Sequence, residues 1–219
     1  MNSEFPFFLS YYLGLFISVI ILSRFIFRKY IEFAKTYNLT SSVKQTLGQK
    51  RNILTAGGVV FASVLMLAAL VLENLDFVKF SNFSPIISTS ILIAVVGFYN
   101  DFINISPFNK SIILIFLILM LLYSNAIIPV IQNLNGFLGI NNIGYIPGLI
   151  FTSFVYLSIM NAINLTDGID GYLAIFSISF FSSMLFTNHI NKFFTLTSVA
   201  VIVIGLSSMF LRYNFHRGK

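Results

Sequence analysis

Cysteine is absent from the chain, which excludes disulfides, thiolate metal sites and cysteine nucleophiles. Tryptophan is absent too, and only 9% of residues are charged, whereas a soluble domain carries about 25%. So little charge excludes a water-facing globular surface. Low-complexity tracts and repeats are lacking, which argues against solenoids and linkers. The opening MNSEFPFF has neither a basic n-region nor an A-x-A-like cleavage site, so it reads as the start of a first span and not as a removable signal. What is present is apolar: 57% of residues are hydrophobic and the mean hydropathy is +0.90. This is the composition of an integral membrane protein.

A helix needs about 20 mostly apolar residues to cross the hydrocarbon core. Segments near 5–27, 55–73, 84–99, 110–131, 147–164, 171–187 and 193–211 qualify. The expected fold is therefore all-α, a polytopic transmembrane bundle of about seven spans forming a single domain over 1–219. Seven spans place the termini on opposite sides. One side then receives Arg24, Arg28, Lys29, Lys35, Lys44, Lys50, Arg51, Lys110, Arg212, Arg217 and Lys219, and the other only Lys79 and Lys192. The positive-inside rule puts the N-terminus outside and the C-terminus in the cytoplasm. The net charge of +6 thus lies along the inner membrane surface, which does not suggest a nucleic-acid partner. Two readings of that charge stay open: topology alone, or anion binding.

The same map sorts the seven acids. Glu4, Glu73 and Asp76 fall outside, and Glu32 lies in the basic first loop. Asp101, Asp167 and Asp170 all fall at cytoplasmic helix ends. One such acid is ordinarily a solvated end residue; three on one face suggest a cation or an acid-base task. Two of them sit in NAINLTDGIDGY, Asn161–Tyr172, where Asn161, Asn164, Asp167 and Asp170 recur at every third position. On an α-helix such residues form a slanting ladder along one face, and a 3₁₀ turn would align them. Each aspartate precedes a glycine, the residue that lets backbone bend or approach a ligand closely. The segment reads as a helix ending in a polar pocket at the membrane surface. His189 and His216 read as ordinary surface histidines.

NAINLTDGIDGY resembles the signature of the polyprenyl-phosphate N-acetylhexosamine-1-phosphate transferases, the membrane glycosyltransferase family 4. That family includes the phospho-MurNAc-pentapeptide translocase and enzymes that start O-antigen, common-antigen and teichoic-acid linkage. QKRNILTAGGVVF (Gln49–Phe61) resembles the family's basic loop before a Gly-Gly helix start. VGFYNDFINIS (Val96–Ser106) resembles its Gly-x-x-Asp-Asp segment, and QNLNGFLGINNIGYIP (Gln132–Pro147) its outer loop in the O-antigen branch. The resemblance implies transfer of a sugar 1-phosphate from a UDP-sugar to undecaprenyl phosphate with release of UMP, in cell-envelope polysaccharide synthesis. It implies magnesium, with manganese as substitute, and a multi-pass protein of the bacterial inner membrane active at the cytoplasmic face. By this resemblance Asp101 serves magnesium or the acceptor phosphate. Asp167 and Asp170, with Asn161 and Asn164, hold the nucleotide-sugar or act in the transfer. Lys50 and Arg51, ahead of Gly57 and Gly58, would meet phosphate at a helix N-terminus.

Three departures qualify the resemblance. Asn100 stands where the family has the first aspartate of its pair, keeping an acceptor oxygen but losing the charge. Leu54 replaces a family proline. The chain's FLRYNFHRGK is similar to the segment that leads into the family's Phe-Met-Gly-Asp, whose aspartate is a magnesium ligand. The expectation is a match to the N-terminal two-thirds of the family fold, with that second ligand missing and the competence of the chain in question. A complementing C-terminal polypeptide or a homodimer is then an expected partner, besides membrane lipid. The alternatives are an inactive homologue or membrane partner that binds nucleotide-sugar, or a transporter of lipid-linked sugars, although transporters commonly show internal repeats.

Overall fold

The structure is a computed structural model that describes residues 5–37, 39–44, 50–54, 57–75, 83–103, 105–124, 130–136, 141–166, 171–190 and 194–215. For 5–9, 40–44, 50–54, 101–102, 164–166, 188–190 and 214–215 the description covers the backbone element alone. Seven helices occur among the described residues: α1 (Phe5–Thr36), α2 (Gly57–Asn74), α3 (Ser84–Ile103), α4 (Pro107–Tyr123), α5 (Tyr145–Thr166), α6 (Tyr172–Ile190) and α7 (Phe194–Phe215). Each expected span is helical, so the polytopic helical class holds. The stretches Ser10–Thr36, Gly57–Asn74, Tyr145–Ile163 and Phe194–Tyr213 are long and apolar enough to cross a membrane. Ser84–Asn100, Pro107–Tyr123 and Tyr172–Thr187 are shorter apolar helices.

Two spans differ most from expectation. α1 runs on from 27 to Thr36, giving 32 residues. At 1.5 Å per residue that is about 48 Å, against about 30 Å of hydrocarbon, so its last turns leave the bilayer. α4 starts earlier than expected because Ser106 caps it. The Ser106 hydroxyl accepts from the Asn109 N–H at 3.3 Å, and Pro107 occupies the first turn, where a missing N–H costs nothing. It ends at Tyr123, well before 131, since a longer helix would carry Pro129 in its interior. One element was not foreseen. Within the basic first loop, β1 (Thr40–Lys44) and β2 (Lys50–Leu54) pair antiparallel from Thr40↔Leu54 to Lys44↔Lys50, favoured by Thr, Val and Ile on a pleated backbone.

The chain forms two compact units, Met1–Phe80 with Ile169–Lys219, and Ser81–Gly168. In the first, α7 is central, packed against α1, α2 and α6. Its Ala200, Val201, Ile202, Leu206 and Met209 are buried. Gly205 is there to let α1 approach: a Cβ on it would lie 3.0 Å from Val19 Cγ1. Between membrane helices small residues matter because close packing, not water exclusion, drives association. The pairing runs from Tyr11–Ser198, joined through their hydroxyls at 3.4 Å, through Val19–Gly205, to Phe27–Tyr213, with ring centroids 5.3 Å apart. α1 and α7 are thus parallel, as first and seventh spans must be. α2 runs the other way, its first turn meeting the end of α7: Phe61 stands edge-on to Phe210 at 5.6 Å.

In the second unit α4 contacts both α3 and α5 through one stripe, Leu114, Leu117, Ile118 and Leu122, at the spacing of a single helix face. Ile112, Phe116, Met120 and Tyr123 remain exposed, as suits a lipid-facing side. Residues after α4 return onto the first half of α5. The buried Thr152 hydroxyl accepts the Ile131 N–H at 2.8 Å and donates to the Gly148 carbonyl at 2.6 Å. Gly148 has no room for a side chain, because a Cβ would lie 2.7 Å from the Ile131 carbonyl oxygen. Other hydroxyls in the spans bond back to their own helix, as Ser158 does to Phe154 and Ser208 to Ile204. This leaves fewer polar groups bare toward lipid.

Candidate active site

Helix direction decides which candidate residues share an end. α3 and α4 are separated by residues 104–106 alone, and so short a connection makes them antiparallel. The Ile131–Thr152 bond ties the region after α4 to the start of α5. Helix α5 therefore finishes at the end where α3 finishes. Asn100 and Asp101 lie in the last turn of α3, and Asn100 is half-buried. Asn161 is exposed near the end of α5, and Asn164 lies in its last turn. One ladder step, Asn161 to Asn164, is thus α-helical and not 3₁₀. The side chains of Asp101 and Asn164 lie outside the described residues, as do Asp167 and Asp170 altogether.

The second glycine of the DGIDG segment has a definite task. Gly171 is buried and has φ +78, a left-handed conformation that costs other residues about 1–2 kcal/mol. Its carbonyl accepts the Ile175 N–H at 3.0 Å, so this turn leads directly into α6. The residue after Asp170 is thereby anchored at the start of a helix, although Asp170 itself is not described. Gly168 and Asp167 lie outside the described residues.

Lys50 and Arg51 belong to β2, and Gly57 begins α2 as the expected Gly-Gly helix start. Gly57 packs close to the Phe210 ring, 3.2 Å from a Cβ placed on it. The side chains of Lys50 and Arg51 are not described, so their meeting with that helix N-terminus rests on sequence proximity. Leu54 and His189 likewise have undescribed side chains, and His216 lies outside the described residues. Among the described residues no group of three or more His, Asp or Glu is disposed to hold a metal; the three candidate aspartates are not within that set.

Lys110 entered the sequence reading only through the charge asymmetry and not as a site residue. It is half-buried in the first turn of α4, at the end shared with Asp101, and its backbone N–H bonds to the Ser106 carbonyl at 3.0 Å. The Ser-Pro start of that helix was the available signal.

No curated protein matches the chain significantly. A family model described as Glycosyl transferase family 4 matches residues 83–219. The match takes in α3 to α7, and with them VGFYNDFINIS, Gln132–Pro147 and NAINLTDGIDGY; Gln49–Phe61 lies before it. It covers more than half of the chain, which therefore belongs to glycosyl transferase family 4, membrane phospho-sugar transferases that act on a polyprenyl-phosphate acceptor.

Proposed function

We propose that this chain transfers a sugar 1-phosphate, of the N-acetylhexosamine class, from a UDP-sugar to undecaprenyl phosphate at the cytoplasmic face of a bacterial inner membrane. A phosphate oxygen of the lipid attacks the sugar-bearing phosphorus of the donor. The bond from that phosphorus to the bridging oxygen breaks, and UMP leaves with that oxygen. The observation that carries this reading is the family match spanning both the end of α3 and the end of α5. Two helix C-termini carrying Asn100, Asp101 and Asn164 lie at one end of their unit.

The donor set at that end fits a hard divalent cation. All its side-chain donors are oxygens, as magnesium prefers, and helix C-termini carry partial negative charge. Asp101, with Asn100 beside it, would hold magnesium (or manganese), which when bound neutralises charge on the reacting phosphates. Asp167 and Asp170, helped by Asn161 and Asn164, orient the nucleotide-sugar. Lys50 and Arg51 attract its phosphates ahead of the α2 N-terminus. Orientation and charge neutralisation are the main tasks in phosphoryl chemistry.

The test is UMP release by the purified chain supplied with UDP-sugar, undecaprenyl phosphate and magnesium. Asp167→Asn and Asp170→Asn should each abolish it while leaving helicity intact. Unchanged turnover in both variants would remove the assignment. Asn100, lacking the family's charge, favours one second reading: a homologue that binds nucleotide-sugar without turnover. Its signature is UDP-sugar binding with no UMP released.

A further inference from the structure

Helix α1 carries a lipid-facing line that changes character along its length. Leu13, Ile17 and Ile21 are 52%, 55% and 64% exposed and succeed one another four residues apart, so they form one stripe. The opposite side of the helix, with Val19, Ser23 and Phe27, is buried. The stripe continues into Arg24 and Arg28, both exposed. At 3.6 residues per turn these arginines lie within about 40° of each other and in line with Ile17 and Ile21. They face away from the protein, toward whatever surrounds it.

Depth along the helix narrows the occupant. Arg24 lies about 4.5 Å beyond Ile21 and Arg28 about 10.5 Å beyond it, at 1.5 Å per residue. The headgroup layer on each side of the hydrocarbon is about 5–7 Å thick. With the hydrocarbon taken to end at Ile21, the last apolar residue of the stripe, Arg24 falls in that layer and Arg28 reaches back into it with its long stem. Lys35 continues the stripe but lies about 16 Å beyond Arg24, clear of the headgroups.

Charge pairing separates these two arginines from their neighbour. Lys29 is bonded to Glu32 at 3.2 Å and turns off the stripe. Among the described side chains the acids are Glu32 and Glu73. Glu73 belongs to the last turn of α2, remote from this end. Glu32 lies one helical turn beyond Arg28 but its ion pair is with Lys29, so no described carboxylate forms an ion pair with Arg24 or Arg28. A guanidinium offers a planar fork of donors matched to phosphate oxygens, and here two forks stand one helical turn apart.

We propose that Arg24 and Arg28 form a binding site for the phosphate headgroup of an anionic phospholipid in the surrounding leaflet. The site is independent of the transferase reading and would survive its failure. It is tested on the full chain, purified and delipidated, titrated with phosphatidylglycerol against phosphatidylcholine, with native mass spectrometry reading the first bound lipid. Phosphatidylglycerol should bind preferentially. Arg24→Gln and Arg28→Gln should each weaken it about five-fold, a typical loss per surface cation, and the double variant should weaken it about thirty-fold. Arg24→Lys with Arg28→Lys should recover part of the affinity, which also shows that the helix tolerates substitution there. Lys29→Gln should change little. The proposal is overturned if the double glutamine variant keeps the wild-type preference, or if inorganic phosphate displaces the lipid at similar concentration. Displacement by an equal concentration of undecaprenyl phosphate, to completion, would also overturn it and assign the pair to the acceptor.

Discussion

Replacing Thr152 with valine isolates one hydroxyl in an otherwise unchanged shape. In the native fold that hydroxyl is fully buried and accepts the Ile131 N–H at 2.8 Å. Valine fills the same space but leaves the amide without a partner, because Gly148 and Ile131 are already in contact and admit nothing between them. A buried unpaired donor costs about 1–3 kcal/mol. Hydrogen bonds between membrane segments average lower, about 0.6 kcal/mol, so the expected loss is about 1–2 kcal/mol. For a chain of this size each kcal/mol moves Tm by about 2–4 °C, which predicts a fall of about 2–8 °C. Far-UV circular dichroism in detergent is the suitable assay, since the chain offers neither tryptophan nor cysteine to report unfolding. Hydrogen exchange at Ile131 should speed up in parallel, and Thr152→Ser should restore protection. UMP release measured below the new midpoint should not change, because Thr152 lies about 18 Å along α5 from Asn164. A valine variant that melts with the wild type and keeps Ile131 protected would refute this account of how the segment is held.

Gly205→Val should destabilise the fold by about 1–3 kcal/mol, read as a lower melting midpoint, since even a Cβ there lies 3.0 Å from Val19 Cγ1; an unchanged midpoint would deny the close crossing of α1 and α7. Asn100→Asp should lower the magnesium concentration needed for half-maximal UMP release, and an unaltered magnesium curve would detach Asn100 from the cation. Lys50→Gln and Asp167→Asn should be non-additive in UDP-sugar affinity, coupled by about 0.5–3 kcal/mol if they serve one ligand. Strict additivity would place Lys50 among the residues that only set topology.

The sequence made the spans legible because lipid imposes a simple demand, about 20 apolar residues with internally bonded backbone. The boundaries were less legible where that demand lapses. α1 continues beyond the bilayer through Arg28 and Lys29 because arginine and lysine are good helix formers in water. Hydropathy sees only where the oil stops. The β1–β2 pair hid in a loop read for its charge, although Thr40, Val43 and Ile53 carry a strand preference. The candidate site could be read only as a list of residues, since aspartates are conspicuous in so apolar a chain, and Asp167 and Asp170 lie outside the described residues. The long-range ties of the fold were not legible. That Thr152 reaches Ile131, twenty-one positions away, depends on how the chain returns after α4, and no local pattern encodes that.

The distribution of sign gives the transferase reading its physical sense. Joining two phosphates requires cations to screen them and a negatively lined place to retain a metal. The unit of α3, α4 and α5 ends α3 and α5 and starts α4 at one end, which brings Asn100, Asp101 and Asn164 to the end that also carries Lys110. The other unit begins α2 at Gly57, with Lys50 and Arg51 just before it in sequence, at the end where α7 finishes. NAINLTDGIDGY crosses from one unit into the other, its asparagines on α5 and its last glycine, Gly171, fixed in a left-handed turn at the start of α6. A segment that had only to connect two helices would not need two carboxylates there. Carboxylates are what a site handling metal-bound phosphates uses.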